Sequence, residues 1–286
     1  SYIVRDGEQI EGDSIRCPGH GWRFTPEGQC DDIPYSTRGV PKAACIKSFP
    51  VQEKAGCIWM WNDPEGGKPD YDLPAFDEWD RAGWVRWRID PLGTLPIHPQ
   101  EIVDNMADYA HFVPVHGSRD VVYFENEFRD HVIMQRFGAG HRTLIDGAEV
   151  LETDTWYTGP GILLSRMEGQ FPSIIMICHT PVEDGEVRVW YGLMVKVSNT
   201  TPTDAEISMA RSYQDTALEA FAQDFELWKF KQPALSIMQV PDDGPFHKER
   251  IWYRQFYNPR TRAPEFQTRV NGVHVTYDRR PGAKAA

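Results

Sequence analysis

The sequence predicts an α+β fold: a small all-β domain followed by an antiparallel sheet with helices packed on it. Three observations carry this expectation. Short β-like runs at 44–49 and 57–61 are split by Gly and Pro at close intervals, the pattern of a small β domain. The tract Asp63-Pro64-Glu65-Gly66-Gly67-Lys68-Pro69 is turn-forming throughout, and the composition changes across it, which places domains at 1–70 and 71–286. Beyond it, longer strand-like runs at 85–89, 132–135, 153–157, 173–179 and 186–197 are accompanied by at least two helical segments.

The bulk composition suits this plan. The chain has 286 residues, 41% of them hydrophobic, enough to bury a real core. The net charge of −12 argues against nucleic acid and anionic membranes as partners. Five cysteines, an odd number at low density, argue against a disulfide framework and for a reducing, cytoplasmic setting. No run of 18 apolar residues exists, so no membrane span is expected. The opening, Ser1-Tyr2-Ile3-Val4-Arg5-Asp6, is not a signal peptide and reads as the inside of a strand.

Two helices are expected to carry chemistry. The first runs over about 99–112. The second follows Thr201-Pro202-Thr203 and runs to about 231. Thr203 followed three residues later by Glu206 forms a capping box, although Pro202 also fits a first helical turn after Thr201.

In the small domain, Cys17-Pro18-Gly19-His20-Gly21-Trp22-Arg23 sets a thiolate and an imidazole two residues apart. Such a pair on one tight turn binds a single metal ion; the plainer reading is a β-turn with an incidental Cys and His. In the large domain, Asp104, Asp108 and His111 follow steps of four and three and would share one helix face. His116 comes five residues after His111, about 140° around an ideal helix. Pro114 breaks the helical ladder between them and allows the second ring to swing back. A 2-His-1-carboxylate metal site then needs one acid. Asp224 supplies a candidate, because it lies on the apolar stripe of Phe221, Phe225 and Trp228. A carboxylate there is costly unless it binds metal or pairs with a buried Arg or Lys.

These strings resemble the oxygenase components of Rieske-type non-haem iron oxygenases. CPGHGWRFTPEGQC is similar to the second ligand loop of a Rieske [2Fe–2S] domain, and EIVDNMADYAHFVPVHG to the iron motif of the catalytic domain. QDFELWKFK and DDGPFHKERIWYRQFYNP place the resemblance nearest the 3-ketosteroid 9α-hydroxylase and cholesterol 7-desaturase branch. The resemblance implies a helix-grip-like catalytic domain with mononuclear Fe(II) on His111, His116 and Asp224. It implies cluster ligation by Cys17 and His20, completed by a Cys-x-His pair. No Cys precedes Cys17 and no His precedes His20, so that pair is expected just upstream of Ser1, the other reading being a degenerate domain that holds no cluster. Asp108 would join the cluster of a neighbouring subunit to a ligand His, which implies a head-to-tail homotrimer and a separate flavin- or ferredoxin-type reductase. Asp104 would orient the site from behind. Asn105 would either bond near the iron or lie exposed.

The expected activity is hydroxylation of an apolar polycyclic substrate, a 3-keto steroid, with Phe221 and Trp228 bordering the iron; packing both rings into the core is the alternative. Rival readings are another Rieske class (desaturase, demethylase or aromatic dioxygenase), a mononuclear-metal hydrolase using the same His, His and Asp, and a non-catalytic ferredoxin-like protein.

Overall fold

A computed structural model of the chain describes residues 9–140, 150–169 and 171–282. The strand expected at 1–6 lies outside the described residues. The chain divides into two compact units, Ser1–Asp70 and Tyr71–Ala286.

In the first unit, β1 (Ile10–Glu11), β2 (Ser14–Arg16), β3 (Arg23–Phe24) and β4 (Cys30–Asp32) pair in sequence order as an antiparallel sheet. Phe24, Cys30, Ile33 and Ala44 form its small core, with Cys17, Trp22 and Val40 packed against it. A hairpin of β5 (Val51–Lys54) and β6 (Cys57–Met60) turns through Ala55 and Gly56, both at positive φ. The strand expected at 44–49 does not form. Among the described residues its one ladder contact is an isolated bridge from Cys45 to Gln29, and the amides of Ala44 and Cys45 are turned to the local carbonyls of Pro41 and Ala43.

Among the described residues the second unit is built on nine strands. These are β7 (Trp84–Val85), β8 (Asp90–Leu95), β9 (Arg119–Arg129), β10 (Val132–Gly140), β11 (Leu151–Thr158), β12 (Ile162–Glu168), β13 (Ser173–Glu183), β14 (Glu186–Lys196) and β15 (Gly272–Asp278). Their order is β15-β9-β10-β11-β12-β13-β14-β7, and β8 also pairs with β14. Every pairing is antiparallel. The strand expected at 85–89 is shorter than predicted, and residues 86–89 leave the ladder. Trp87 instead lies on Gly192 of β14, where an added Cβ would stand 3.1 Å from the indole.

Among the described residues four helices accompany the sheet: α1 (Gln100–Val103), α2 (Asp204–Trp228), α3 (Phe246–Tyr253) and α4 (Ala263–Val270). The capping box at the start of α2 forms as expected: the Thr203 hydroxyl accepts from the Glu206 amide, and the Glu206 carboxylate accepts from the Thr203 amide. α2 lays Tyr213, Ala217, Phe225 and Trp228 against Val187, Val189, Tyr191, Leu193 and Val195, the alternate residues of β14. A second core joins Val103, Met106, Phe128, Ile133 and Tyr157 to Trp252 and Tyr253 of α3 and Val270 of α4. Between the two cores lies a cavity.

Candidate metal centre and cavity

The helix expected over 99–112 is interrupted. α1 continues as a 3-10 turn over Asp104–Met106, the chain then leaves helical geometry, and a second 3-10 turn covers Ala110–Phe112. The sheet causes the break. The Met106 carbonyl, which an unbroken helix would give to the amide of residue 110, accepts instead from Asn126 Nδ2 at 2.6 Å and Gln135 Nε2 at 3.0 Å. The Gly244 backbone also lies directly on Ala107, so that a Cβ there would collide with the Ala107 carbonyl.

The interruption sets the histidines. Pro114 removes one rung without ending the turn: the Val115 amide still reaches the His111 carbonyl at 2.9 Å, and that of Gly117 reaches Val113 at 3.0 Å. The His111 and His116 rings nevertheless converge, their centres 5.1 Å apart and their planes at 76°. Asp224, buried on α2, approaches from the other side, with Oδ2 3.3 Å from His116 Nε2. One potential ligand atom from each of His111, His116 and Asp224 lies within 4.8 Å of the others. Among the described residues no Lys or Arg pairs with Asp224. Asn105 donates to Asp224 Oδ2 at 3.4 Å, so its side chain faces the cluster.

Asp108 sits behind His111. Its backbone carbonyl lies 2.7 Å from His111 Nδ1, and its carboxylate accepts the His111 amide at 3.2 Å. A proton on Nδ1 is thereby fixed, which leaves Nε2 as the ligating nitrogen. Burial works to lower the His111 pKa, but the Asp108 and Asp224 carboxylates outweigh it and the net shift is upward. Burial likewise works to raise Asp108, and its hydrogen bonds with His111 carry it below its ordinary value. A bound cation would take the place of the proton that these carboxylates hold on the ring.

Asp104 is not part of this cluster. Arg250 of α3 clamps it with two bonds, Nη2 to Oδ2 at 2.6 Å and Nε to Oδ1 at 3.1 Å, and so turns it from the face shared by Asp108 and His111. The sequence reading had no signal for this 146-residue separation, although Arg250 stands in one of the strings that carried the resemblance.

The three candidate ligands open onto a cavity of about 150 Å³. Phe221 and Trp228 line it from α2, packed edge to face with their centres 5.7 Å apart. Phe221 also stacks on Tyr191 at 6.0 Å. Ile102 and Met106 line the α1 side, and the sheet supplies a floor that includes Thr155, Tyr157, Ser165 and Ile175. The sequence reading missed these floor residues; their one signal was the alternation of Thr153, Thr155 and Tyr157 along β11.

The donor set of His111, His116 and Asp224 suits a divalent iron with open coordination positions. The small unit is different. Cys17 and His20 occupy the turn between β2 and β3, closed by Cys17 N to Trp22 O at 2.7 Å and Gly21 N to Cys17 O at 3.0 Å. A Rieske cluster takes two Cys and two His. His20 is the sole His in residues 1–70, so this chain supplies half of that donor set.

Comparison with known proteins gives the context. Residues 60–257 match the model of the 3-ketosteroid 9α-hydroxylase C-terminal domain, and residues 2–50 match that of the Rieske [2Fe–2S] domain. A 3-ketosteroid-9-alpha-monooxygenase oxygenase component from Rhodococcus rhodochrous is 34% identical over 263 residues, covering 87% of this chain and 67% of that protein. The cholesterol 7-desaturase of Hemicentrotus pulcherrimus is 28% identical over 91% of this chain and 60% of its own length. The chain thus spans about two thirds of the curated relatives it matches. Among solved structures, Pseudomonas putida CBB5 NdmA with caffeine superposes with a TM-score of 0.65 at 17% identity, covering 94% of this chain and 80% of that one. Dicamba monooxygenase bound to dicamba gives 0.60 at 17%, covering 86% and 80%. These two likenesses establish the fold. No helix among the described residues is long and apolar enough to cross a membrane.

Proposed function

The chain belongs to the 3-ketosteroid 9α-hydroxylase C-terminal domain family within the Rieske oxygenases, and from that premise we propose that it hydroxylates a 3-keto steroid at the 9α position as the oxygenase component of a multi-component monooxygenase. The observation that carries this reading is the convergence of His111, His116 and Asp224 on a cavity walled by Phe221 and Trp228. Ferrous iron on those ligands would supply open positions for oxygen beside the substrate. Asn105 steadies Asp224, and Asp108 fixes the ring of His111. The Asp108 side chain is 33% exposed, so one side of it touches a ligand while the other is open, a placement suited to passing an electron inward. The wide aromatic faces of Phe221 and Trp228 suit a flat apolar ring system. A separate reductase, a homotrimer and a cytoplasmic setting belong to the same reading.

The test incubates iron-loaded full-length protein with a reductase, oxygen and a steroid panel, with small aromatic acids in parallel. Oxygen uptake coupled to a hydroxylated steroid is expected. Product from the aromatic acids alone would sink the steroid assignment. The similarity to a cholesterol 7-desaturase supports a second reading, desaturation, which the product mass separates from hydroxylation.

A further inference from the structure

The cavity floor holds a polar device that the metal chemistry does not use. Strand register places Gln135, Thr155, Ser165 and Ile175 in one cross-strand row over β10, β11, β12 and β13. All four line the cavity, and the next row presents Leu163 and Ile177, which are apolar, and Tyr157, whose hydroxyl is bonded to His179 at 3.1 Å. Gln135 is committed, its amide donating to the carbonyls of Asn105 and Met106. Thr155 and Ser165 are buried and bonded to each other, Oγ1 to Oγ at 2.7 Å. A hydroxyl pair has two protons and its mutual bond uses one. Among the described residues the second proton has no recorded acceptor.

A donor facing an apolar cavity is costly until something accepts from it. Among the described residues that line the cavity there is no Lys or Arg, so away from the metal ligands the walls offer no cation to an anionic substrate group. An uncharged oxygen is the matching chemistry. Its position fits as well. Gln135 bonds the Asn105 carbonyl, and Asn105 bonds Asp224, so the β10 end of the row is the metal end. Thr155 and Ser165 stand one and two strands further along, about 5–10 Å at the usual spacing. An oxygen held there is set off from the metal end of the row by at least the width of a fused ring.

We propose that the Thr155–Ser165 hydroxyl pair is the substrate anchor of this cavity, donating a hydrogen bond to the 3-keto oxygen and so choosing which carbon faces the metal. This rests on the steroid reading above and adds the residues that read the ketone.

The experiment measures equilibrium binding, and KM separately from kcat, on iron-loaded full-length protein. The ligands are a 3-keto steroid and its 3-deoxo counterpart. Wild type should bind the ketone about tenfold more tightly, the worth of one hydrogen bond in an apolar site. Thr155→Val with Ser165→Ala should abolish that preference by weakening the ketone alone, with KM rising and kcat little changed for turnover. Thr155→Ser should retain the preference, and Thr153→Val, on the same face in a neighbouring row, should leave it intact. Equal affinity of wild type for both ligands would overturn the anchor while leaving the steroid reading standing. So would equal loss of both ligands in the double variant, or a loss confined to Thr153→Val. Wild type that binds neither ligand would bring down the steroid reading, and the anchor with it.

Discussion

Glu249→Gln should stabilise this protein, and by more as the pH rises. Glu249 on α3 is fully buried, and as a carboxylate it meets no donor at either oxygen among the described residues. Burial pushes its pKa well above the ordinary value, and the Asp104 carboxylate beside it pushes further in the same direction, against the smaller pull of Arg250 and Lys231. The surrounding charges agree with a neutral acid. Glu101 and Asp104 face Arg250 and Lys231, two against two, with contacts of 2.6 Å from Arg250 to Asp104 and 3.3 Å from Lys231 to Glu101. An ionised Glu249 would add an uncompensated charge. The sign follows from linkage. In the unfolded chain this group ionises near pH 4.3, in the fold only at higher pH. The stability of the neutral acid is therefore fully present below pH ~4.3 and is lost as pH rises toward the folded value, at up to about 1.4 kcal/mol per pH unit. Glutamine removes that slope and can still donate to Asp104. As the pH is raised from 5 to 7 the advantage of the variant should widen, by no more than about 1.4 kcal/mol per pH unit, and the difference in midpoint should widen with it. Calorimetric melts of the full-length protein and variant at pH 5, 6 and 7 measure it. A difference that stays flat across that range would refute a neutral buried Glu249.

Asp224→Ala should lose mononuclear iron on metal analysis, whereas Asp108→Asn should keep it and lower turnover by about 10–100-fold, as expected of a group acting through a ligand; normal turnover in the latter would remove the role of Asp108. Phe221→Ala or Trp228→Ala should change steroid affinity or the position of hydroxylation more than iron content, which product analysis beside iron determination checks. Gly244→Ala forces a Cβ against the Ala107 carbonyl and should cost about 1–3 kcal/mol or more, with weaker iron retention because the turn that carries the histidines must shift; a melt and an iron assay read both effects.

What was legible in the sequence was local. Thr203 and Glu206 announce the start of α2 because capping chemistry acts across three residues, and Asp224 stands out because an acid on an aromatic stripe needs a partner. The break after Met106 was not legible, since the groups that capture its carbonyl, Asn126 and Gln135, lie 20 and 29 residues away. β9 was missed for a related reason. Its charged residues obscure the alternation, and they make sense only beside β10, where Arg136 pairs with Glu125 at 3.1 Å and Glu127 at 2.6 Å. The floor row needs the register of four strands, which no local pattern specifies.

The two halves of the site come from different parts of the structure. The candidate ligands are held by irregular turns and by α2, and the histidine turn is fixed by the side-chain amides of Asn126 and Gln135 on the Met106 carbonyl and by the Gly244 backbone against Ala107. The cavity floor comes from side chains that alternate along β11, β12 and β13. A strand keeps its backbone pairing when one of these side chains changes, so the floor can vary while the ligand geometry stays in place. The converse does not hold, because a shift at 105–116 moves Asn105, His111 and His116 together. That asymmetry makes the metal motif the easier part to recognise by sequence and leaves the sheet side of the cavity free to vary, where Thr155 and Ser165 present the one hydroxyl pair among the described lining residues.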